Sequence, residues 1–308
     1  MLSQPSLAAI TEQAQTAARR AAESAGLWVG DESSPAGLLE VEALFNTVWL
    51  LPPGESAMPS ELLRSMSHAG CNVTVARDES GRLVGAAAAL VTPRSPSIQP
   101  NTNQPDSDQT PARQSPSMYS LIAGVLPGSG DRGIGFAMKQ HQRAWGLARD
   151  LTEMSWTFDP LVSRNARFNL TKLGAHTSKY VVDFYGPMQG EVNANDESDR
   201  LVAVWPLTSD ETVACSERHP EAVDGPVFGP SAVLRLGPDG EPALVAAHDA
   251  LWCRVPTDIV ALRAQNPRVA AEWRRSIRSI FTDVFDSGHI ARGVSSDGWY
   301  RLARGGTA

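Results

Sequence analysis

The sequence predicts an α+β fold, and three observations carry that reading. Helical and strand-like stretches follow one another without a repeating βαβ period: two helices, a hairpin, then strand, loop, helix, strand, helix, strand. A glycine-rich loop, VLPGSGDRGIG at 125–135, falls between one of those strands and the helix after it. The last third of the chain is too apolar and regular to be a tail, and it closes as strand, helix, strand.

Bulk properties narrow the partners. The chain has 308 residues, 42% hydrophobic and 20% charged, within the ordinary range of a globular protein. A net charge of -7 argues against nucleic acid or an anionic membrane as partner. No run of about 18 apolar residues exists, as a membrane span needs, and MLSQPSLAAITEQAQ has neither a basic start nor an apolar signal region. The expected location is cytoplasmic, and the Arg-, Ala- and Pro-rich bias fits a GC-rich, bacterial genome. Cys71, Cys215 and Cys253 are far apart and read as reduced buried thiols. Six scattered histidines with no CxxC or HExxH pairing predict no metal.

Residues 1–30 read as an Ala-rich helical leader, with Leu7, Ile10 and Ala14 at helical spacing. Gly30 to Gly37 break it, and a helix then carries Leu38, Val41, Leu44, Phe45 and Val48. A short helix follows at Ser60–Ala69. NVTVARDESGRLVGAAAAL is a hairpin turning at Asp78–Gly81. Residues 93–117 hold six prolines and no aromatic residue, which predicts a mobile loop between strands. Then come strand Tyr119–Leu126, the glycine loop, helix Gly133–Arg149, strand Thr152–Phe158, helix Arg164–Leu173, and strands Tyr180–Tyr185 and Arg200–Trp205. On the first of these helices Ala137, His141, Ala144, Trp145 and Ala148 share a face, so His141 reads as a core histidine. Near the end, Asn266 caps a helix with Pro267 at its first position and Gly288 at its exit, flanked by strands Leu251–Val255 and Ile290–Leu302.

The glycine loop admits several ligands. Gly128 to Gly133 match a dinucleotide fingerprint, and Asp159 stands at the end of the next strand, but the loop sits mid-chain and one crossover follows it instead of a series. A nucleotide-hydrolase phosphate loop fails, because Ile134 and Gly135 stand where Lys and Ser/Thr are required. With VLPGSGDRGIG in the loop, WTFDP at 156–160 and RNARFNLTKLGA at 164–175, the chain resembles the GNAT superfamily of N-acyltransferases over roughly residues 36–205. It looks closest to a branch that carries the last two motifs and a C-terminal extension.

That resemblance implies a mixed, mostly antiparallel sheet flanked by helices in a domain at 31–205, with a C-terminal α/β extension at 206–308. The extension would complete the acceptor pocket, form a homodimer contact, or be a degenerate second half. It also implies acetyl-CoA or another acyl-CoA as donor. The strand before the loop would splay from its neighbour so that Ala123, Gly124 and Val125 bind the pantetheine arm, with the N–H of Val125 as oxyanion donor. The diphosphate would rest on Gly130, Asp131, Arg132, Gly133, Ile134 and Gly135 at the start of a helix. The family's first loop residue, Gln or Arg, is Gly130 here. Asn165 and Asn169 would contact the arm, and Leu170 stands where the family often has a proton-donating Tyr.

Acyl transfer from a thioester to an amine needs positioning, oxyanion donors and a proton acceptor. Asp159 is either that base or the cap of the helix after Pro160. Tyr185 is a proton donor or substrate contact, or else a buried structural tyrosine. Arg164 and Arg200 either hold the carboxylate of an amino-acid acceptor or form surface ion pairs; Trp156 reads as core. The expected function is transfer of an acetyl or other short acyl group, succinyl included, to the amine of a small molecule. The alternatives are a catalytically silent CoA-binding module and, behind it, a dinucleotide-dependent oxidoreductase.

Overall fold

The computed structural model describes residues 5–93, 116–129, 133–186 and 197–305. The proline-rich stretch at 94–115 and the loop residues Gly130, Asp131 and Arg132 lie outside them. In chain order the first elements are α1 (Leu7–Ser24), β1 (Leu27–Asp31), α2 (Pro35–Val48), α3 (Ser60–His68), β2 (Asn72–Asp78), β3 (Leu83–Thr92), β4 (Ser117–Val125), α4 (Ile134–Leu147) and β5 (Glu153–Phe158). There follow α5 (Ser163–Arg167), β6 (Tyr180–Val181), β7 (Arg200–Pro206), α6 (Asp210–Ser216), β8 (Val233–Leu236), β9 (Pro242–Ala247) and β10 (Ala250–Arg254). The chain ends with α7 (Ile259–Gln265), α8 (Pro267–Asp286), β11 (His289–Val294) and β12 (Trp299–Arg304). Two compact units result: Met1–Trp156 with Pro206–Glu217, and Thr157–Trp205 with Arg218–Ala308. The chain passes from one unit to the other inside β5, after Trp205 and after Glu217.

In the first unit the strands order as β1-β2-β3-β4-β5. β1 to β4 are antiparallel neighbours, and β4 and β5 run parallel, joined by the α4 crossover. This is the mixed, mostly antiparallel sheet that the sequence led us to expect. Alternation sorts its two faces. Val73 and Val75 join Leu38, Val41, Phe45 and Leu63 from α2 and α3 in one core. Ala76 and Val84 meet Ile134 and Met138 of α4 in the other. α1 buries Ala14, Ala17, Ala18 and Ala21 and packs against α4 in this unit. β1 was not foreseen: LWVGD is too short to show a period, and it pairs from Leu27↔Asp78 to Asp31↔Thr74.

The second unit holds a five-stranded sheet ordered β11-β12-β10-β9-β8, antiparallel throughout, and the short antiparallel pair β6–β7. α8 buries Trp273, Ile277, Ile280, Phe281 and Val284, close to the expected stripe, and Asn266 caps it, its side chain accepting from the Val269 N–H at 3.3 Å. The expected strand Ile290–Leu302 is two strands, because Gly298 at φ +90° turns the chain between them. The expected strand Tyr180–Tyr185 stops at Val181 and continues as turn. The expected helix Arg164–Leu173 is one α turn run into a π-helical stretch at Phe168–Lys172. α6 and α7 add two short helices that the sequence reading lacked.

Candidate active site

The candidate site is built from β4, the described loop residues Gly128, Ser129 and Gly133, α4 and the start of β5, all in the first unit. β4 and β5 pair only at Met118↔Met154 and Tyr119↔Ser155 among the described residues. Beyond them β4 continues through Ser120 to Val125 with β3 on one side, from Ala89↔Ser120 to Gly85↔Val125. The register shift between Ala88 and Ala89 leaves Leu121 as an extra residue, a bulge that bends β4 where pairing with β5 ends. Past Tyr119 the edge of β4 away from β3 has no β5 partner among the described residues, and this unpaired edge is the gap. Leu126 N–H donates to Val84 O at 2.9 Å, so the N–H groups of Val125 and Ala123, odd in the alternation, face that gap. Gly124 is needed on its other face, where a Cβ would stand 3.1 Å from the Trp49 ring of the residue after α2.

At the open end of the gap the chain turns through Gly128, at φ +78°, and Ser129, which is buried and donates its N–H to Leu126 O at 3.2 Å. Gly133 then occupies the N-cap of α4 at φ +80°, ψ +12°, a left-handed conformation that strains any L side chain. Among the described residues no side chain caps α4, which leaves the N–H groups of its first turn, beginning at Ile134 and Gly135, at the positive end of the helix.

α4 is covered on all sides, and this hid a residue from sequence reasoning. Lys139 is 6% exposed; its Nζ donates to Ser120 Oγ at 3.0 Å, lies 3.7 Å from Met154 Sδ, and stands 4.3 Å from the centre of the Trp156 ring. Ser120 is the first β4 residue past the last β4–β5 pair, and Trp156 is the residue after Ser155 on β5. The amine therefore sits at the closed end of the gap. Burial alone lowers its pKa to about 7. Trp156 is core, as expected, and is 7% exposed. Arg143, one turn further on, is turned away: its Nε donates to Leu207 O and its Nη1 to Gln13 Oε1. His141 is corrected. It is partly exposed, and its Nε2 lies 2.8 Å from Asp31 Oδ1 at the edge of the sheet.

The other residues singled out from sequence belong to the second unit. Asp159 accepts two hydrogen bonds from Arg274, at 2.7 and 3.0 Å, one from Arg263 at 2.6 Å and one from Leu161 N–H at 2.9 Å. Burial works to raise its pKa, but the hydrogen bonds and charge of Arg274 and Arg263 prevail and hold it at about 2. A carboxylate so committed has no proton affinity to offer near neutral pH, which removes the general-base role. Nor does it cap a helix, since α5 starts after Val162 without a side-chain cap. Tyr185 is 53% exposed on a turn, with its hydroxyl 3.4 Å from Thr157 Oγ1 and the Arg200 guanidinium 5.1 Å from its ring centre, so the buried structural reading is excluded. Arg164 and Asn165 are exposed; Asn169 is buried, its Nδ2 3.5 Å from Asn165 Oδ1.

Solved structures resemble part of this chain. An N-acetyltransferase from Staphylococcus aureus is 12% identical over 59% of this chain and 98% of its own, with a TM-score of 0.43. An acetyltransferase of the GNAT family from Streptococcus pneumoniae is 14% identical over 58% and 98%, at 0.42. A GNAT superfamily phosphinothricin acetyltransferase from Sinorhizobium meliloti, solved in complex with AcCoA, is 14% identical over 59% and 88%, at 0.43. No protein-family model and no curated protein sequence matches the chain. Among the described residues no helix is long and apolar enough to cross a membrane, and no cluster of His, Cys, Asp and Glu could hold a metal ion.

Proposed function

We propose that the chain is a CoA-dependent N-acyltransferase that moves an acetyl or other short acyl group to the amine of a small molecule. One observation carries the proposal: among the described residues β4 loses its β5 partner past Tyr119, and the helix start that follows β4 has a left-handed glycine and no side-chain cap. The free N–H groups of β4 suit an extended amide-bearing arm laid in as an added strand, and the uncapped helix start suits its diphosphate. Val125 stands at the mouth of this gap, and Ser120, five residues deeper, lies roughly 16 Å further along the strand. An arm anchored by its diphosphate near Gly133 carries its thioester past Val125, so we move the oxyanion donor from Val125 to the N–H groups between Ala123 and the bulge. A dinucleotide reading loses ground because, among the described residues of the first unit, β1 to β4 are antiparallel neighbours and only β4–β5 is a parallel pair.

The commitment of Asp159 to two arginines favours the second reading, a CoA-binding module without turnover. Arg164, Arg200 and Tyr185 stay our candidates for contacts with the acceptor. Thermal shift with acetyl-CoA, succinyl-CoA and NAD discriminates first: both CoA thioesters raise Tm, and stabilisation by NAD alone overturns the proposal. Thiol release across an amine panel then separates enzyme from module. Gly133→Val, which forces a branched side chain into a left-handed N-cap, abolishes the shift by CoA under either reading.

A further inference from the structure

Lys139 is a buried amine that meets no anion among the described residues. An ammonium has three N–H donors, and this one meets one oxygen, Ser120 Oγ, together with a thioether and the face of an indole. Among the described residues the contacts of its Nζ supply no charge in return: β4 brings Ser120, β5 brings Met154 and Trp156, and on α4 itself Arg143 turns to Leu207 O and Gln13. Burial is the whole cause of its lowered proton affinity, and no ionised side chain among the described residues contributes to it. A packed methionine would fill the same volume at far lower desolvation cost. The ammonium lies behind Ser120, whose oxygen accepts from Nζ and whose own hydrogen is thereby free to be given onward. Ser120 is also the residue at which β4 and β5 part.

On the proposed function, which this inference presupposes, the thioester comes to rest near that parting point. We propose that Ser120 and Lys139 form a proton relay to the leaving thiolate: Ser120 as the catalytic donor and Lys139 as the residue that positions and recharges it. When the tetrahedral intermediate collapses, the C–S bond breaks and its electron pair goes to sulfur. Sulfur takes the Ser120 hydroxyl hydrogen, and Ser120 Oγ takes a proton from Lys139 Nζ, leaving a neutral amine. Lys139 regains a proton from solvent, to which the acceptor nitrogen has given one, so acyl-CoA and amine become amide and free CoA with no net proton. The pKa of about 7 suits the task, because donation to a thiolate whose conjugate acid ionises near 8.5 is downhill.

The test uses the full chain, with CoA affinity measured by calorimetry and kcat measured against pH at saturating amine. Wild type is expected to lose kcat as pH rises through about 7, where the ammonium is lost. Lys139→Met and Ser120→Ala are each expected to lower kcat about 100-fold with CoA affinity unchanged within threefold. The double variant should be no worse than either single one. The decisive readout is the leaving group. With the acetyl thioester of 4-nitrothiophenol, whose thiol leaves without a proton, both variants should match wild type, whereas damage to the fold would slow both donors alike. Equal losses with both donors, or an alkaline limb that persists in Lys139→Met, overturns the relay; should Lys139→Met not fold, Ser120→Ala decides by the same two donors. Failure of wild type to bind CoA overturns the proposed function and the relay with it, while binding with turnover and unaltered variants overturns the relay alone.

Discussion

Two buried charges, one in each unit, are handled in opposite ways. Asp159 is met by two guanidinium groups and a backbone N–H, four hydrogen bonds in all, and burial is outweighed. Lys139 is met by one hydroxyl, a sulfur and a ring, and burial acts unopposed. The first is therefore fixed in its charged form over the whole neutral range, and the second changes protonation within it. A group that must hold an architecture together gains from the first treatment, and a group that must exchange protons needs the second. Residue type alone points the other way, since an acid at a strand end was the expected base and the lysine lies inside a helix. The partners decide.

The largest effect expected from this contrast is on the paired side. Asp159→Asn leaves Arg274, 1% exposed at its side chain, without its bidentate partner. Removing one member of a buried pair typically costs about 3–5 kcal/mol, which denaturant unfolding of the second unit would show. The acid dependence follows from the lowered pKa. The unfolded carboxyl takes up a proton near pH 4 and the folded one near pH 2, so the pair's stabilisation is complete above pH 4 and is lost as pH falls toward 2. Asp159→Asn should erase that segment of the pH profile. A wild-type profile identical to that of the variant between pH 4 and 2 would show that the arginines do not hold the carboxylate.

What could be read beforehand follows the same line. Strand β4 and helix α4 were legible because the apolar alternation, the glycines and the turn residues around them are local signals. The partners of Asp159 lie 104 and 115 residues along the chain, and no local pattern links them. Lys139 escaped because the sequence reading weighed only one face of α4, that of Ala137, His141, Ala144, Trp145 and Ala148. Phe136, Met138 and Leu147 off that stripe were the available sign that the helix is covered all round, as it is between the sheet and α1. His141, placed on the buried stripe, is instead the residue that reaches the edge at Asp31.

The next effect concerns the unpaired side, and its sign is reversed. Between about pH 7 and 10 the unfolded chain keeps the proton on Lys139 while the folded chain has released it. The unfolded state thus binds more protons, and stability rises with pH across that window. The full cost of the buried ammonium, present below pH 7, is on the order of 4 kcal/mol. Lys139→Met should therefore stabilise the first unit by about 2–3 kcal/mol at pH 7, once the orphaned Ser120 hydroxyl and an imperfect fit are allowed for. The gain should shrink steadily and vanish by about pH 10. A variant less stable than wild type at pH 6 would mean that the ammonium has a partner after all, and the contrast with Asp159 would fail.

The smallest effect calibrates both. His141 and Asp31 form a pair at the edge of the first unit's sheet, and the Asp31 side chain is 49% exposed. The same carboxylate also accepts from Asn72 Nδ2 at 3.1 Å, so its removal takes away two contacts at once. Water and salt nonetheless compete for it at every moment, and exposed pairs contribute at most about 1 kcal/mol. Asp31→Asn preserves the shape and keeps an oxygen for Asn72, so the loss in urea unfolding should stay below about 1 kcal/mol and disappear in roughly 0.5 M salt. A loss of the size expected for Asp159→Asn would show that geometry at the sheet edge outweighs solvation. Burial would then no longer be the variable that separates the two charges.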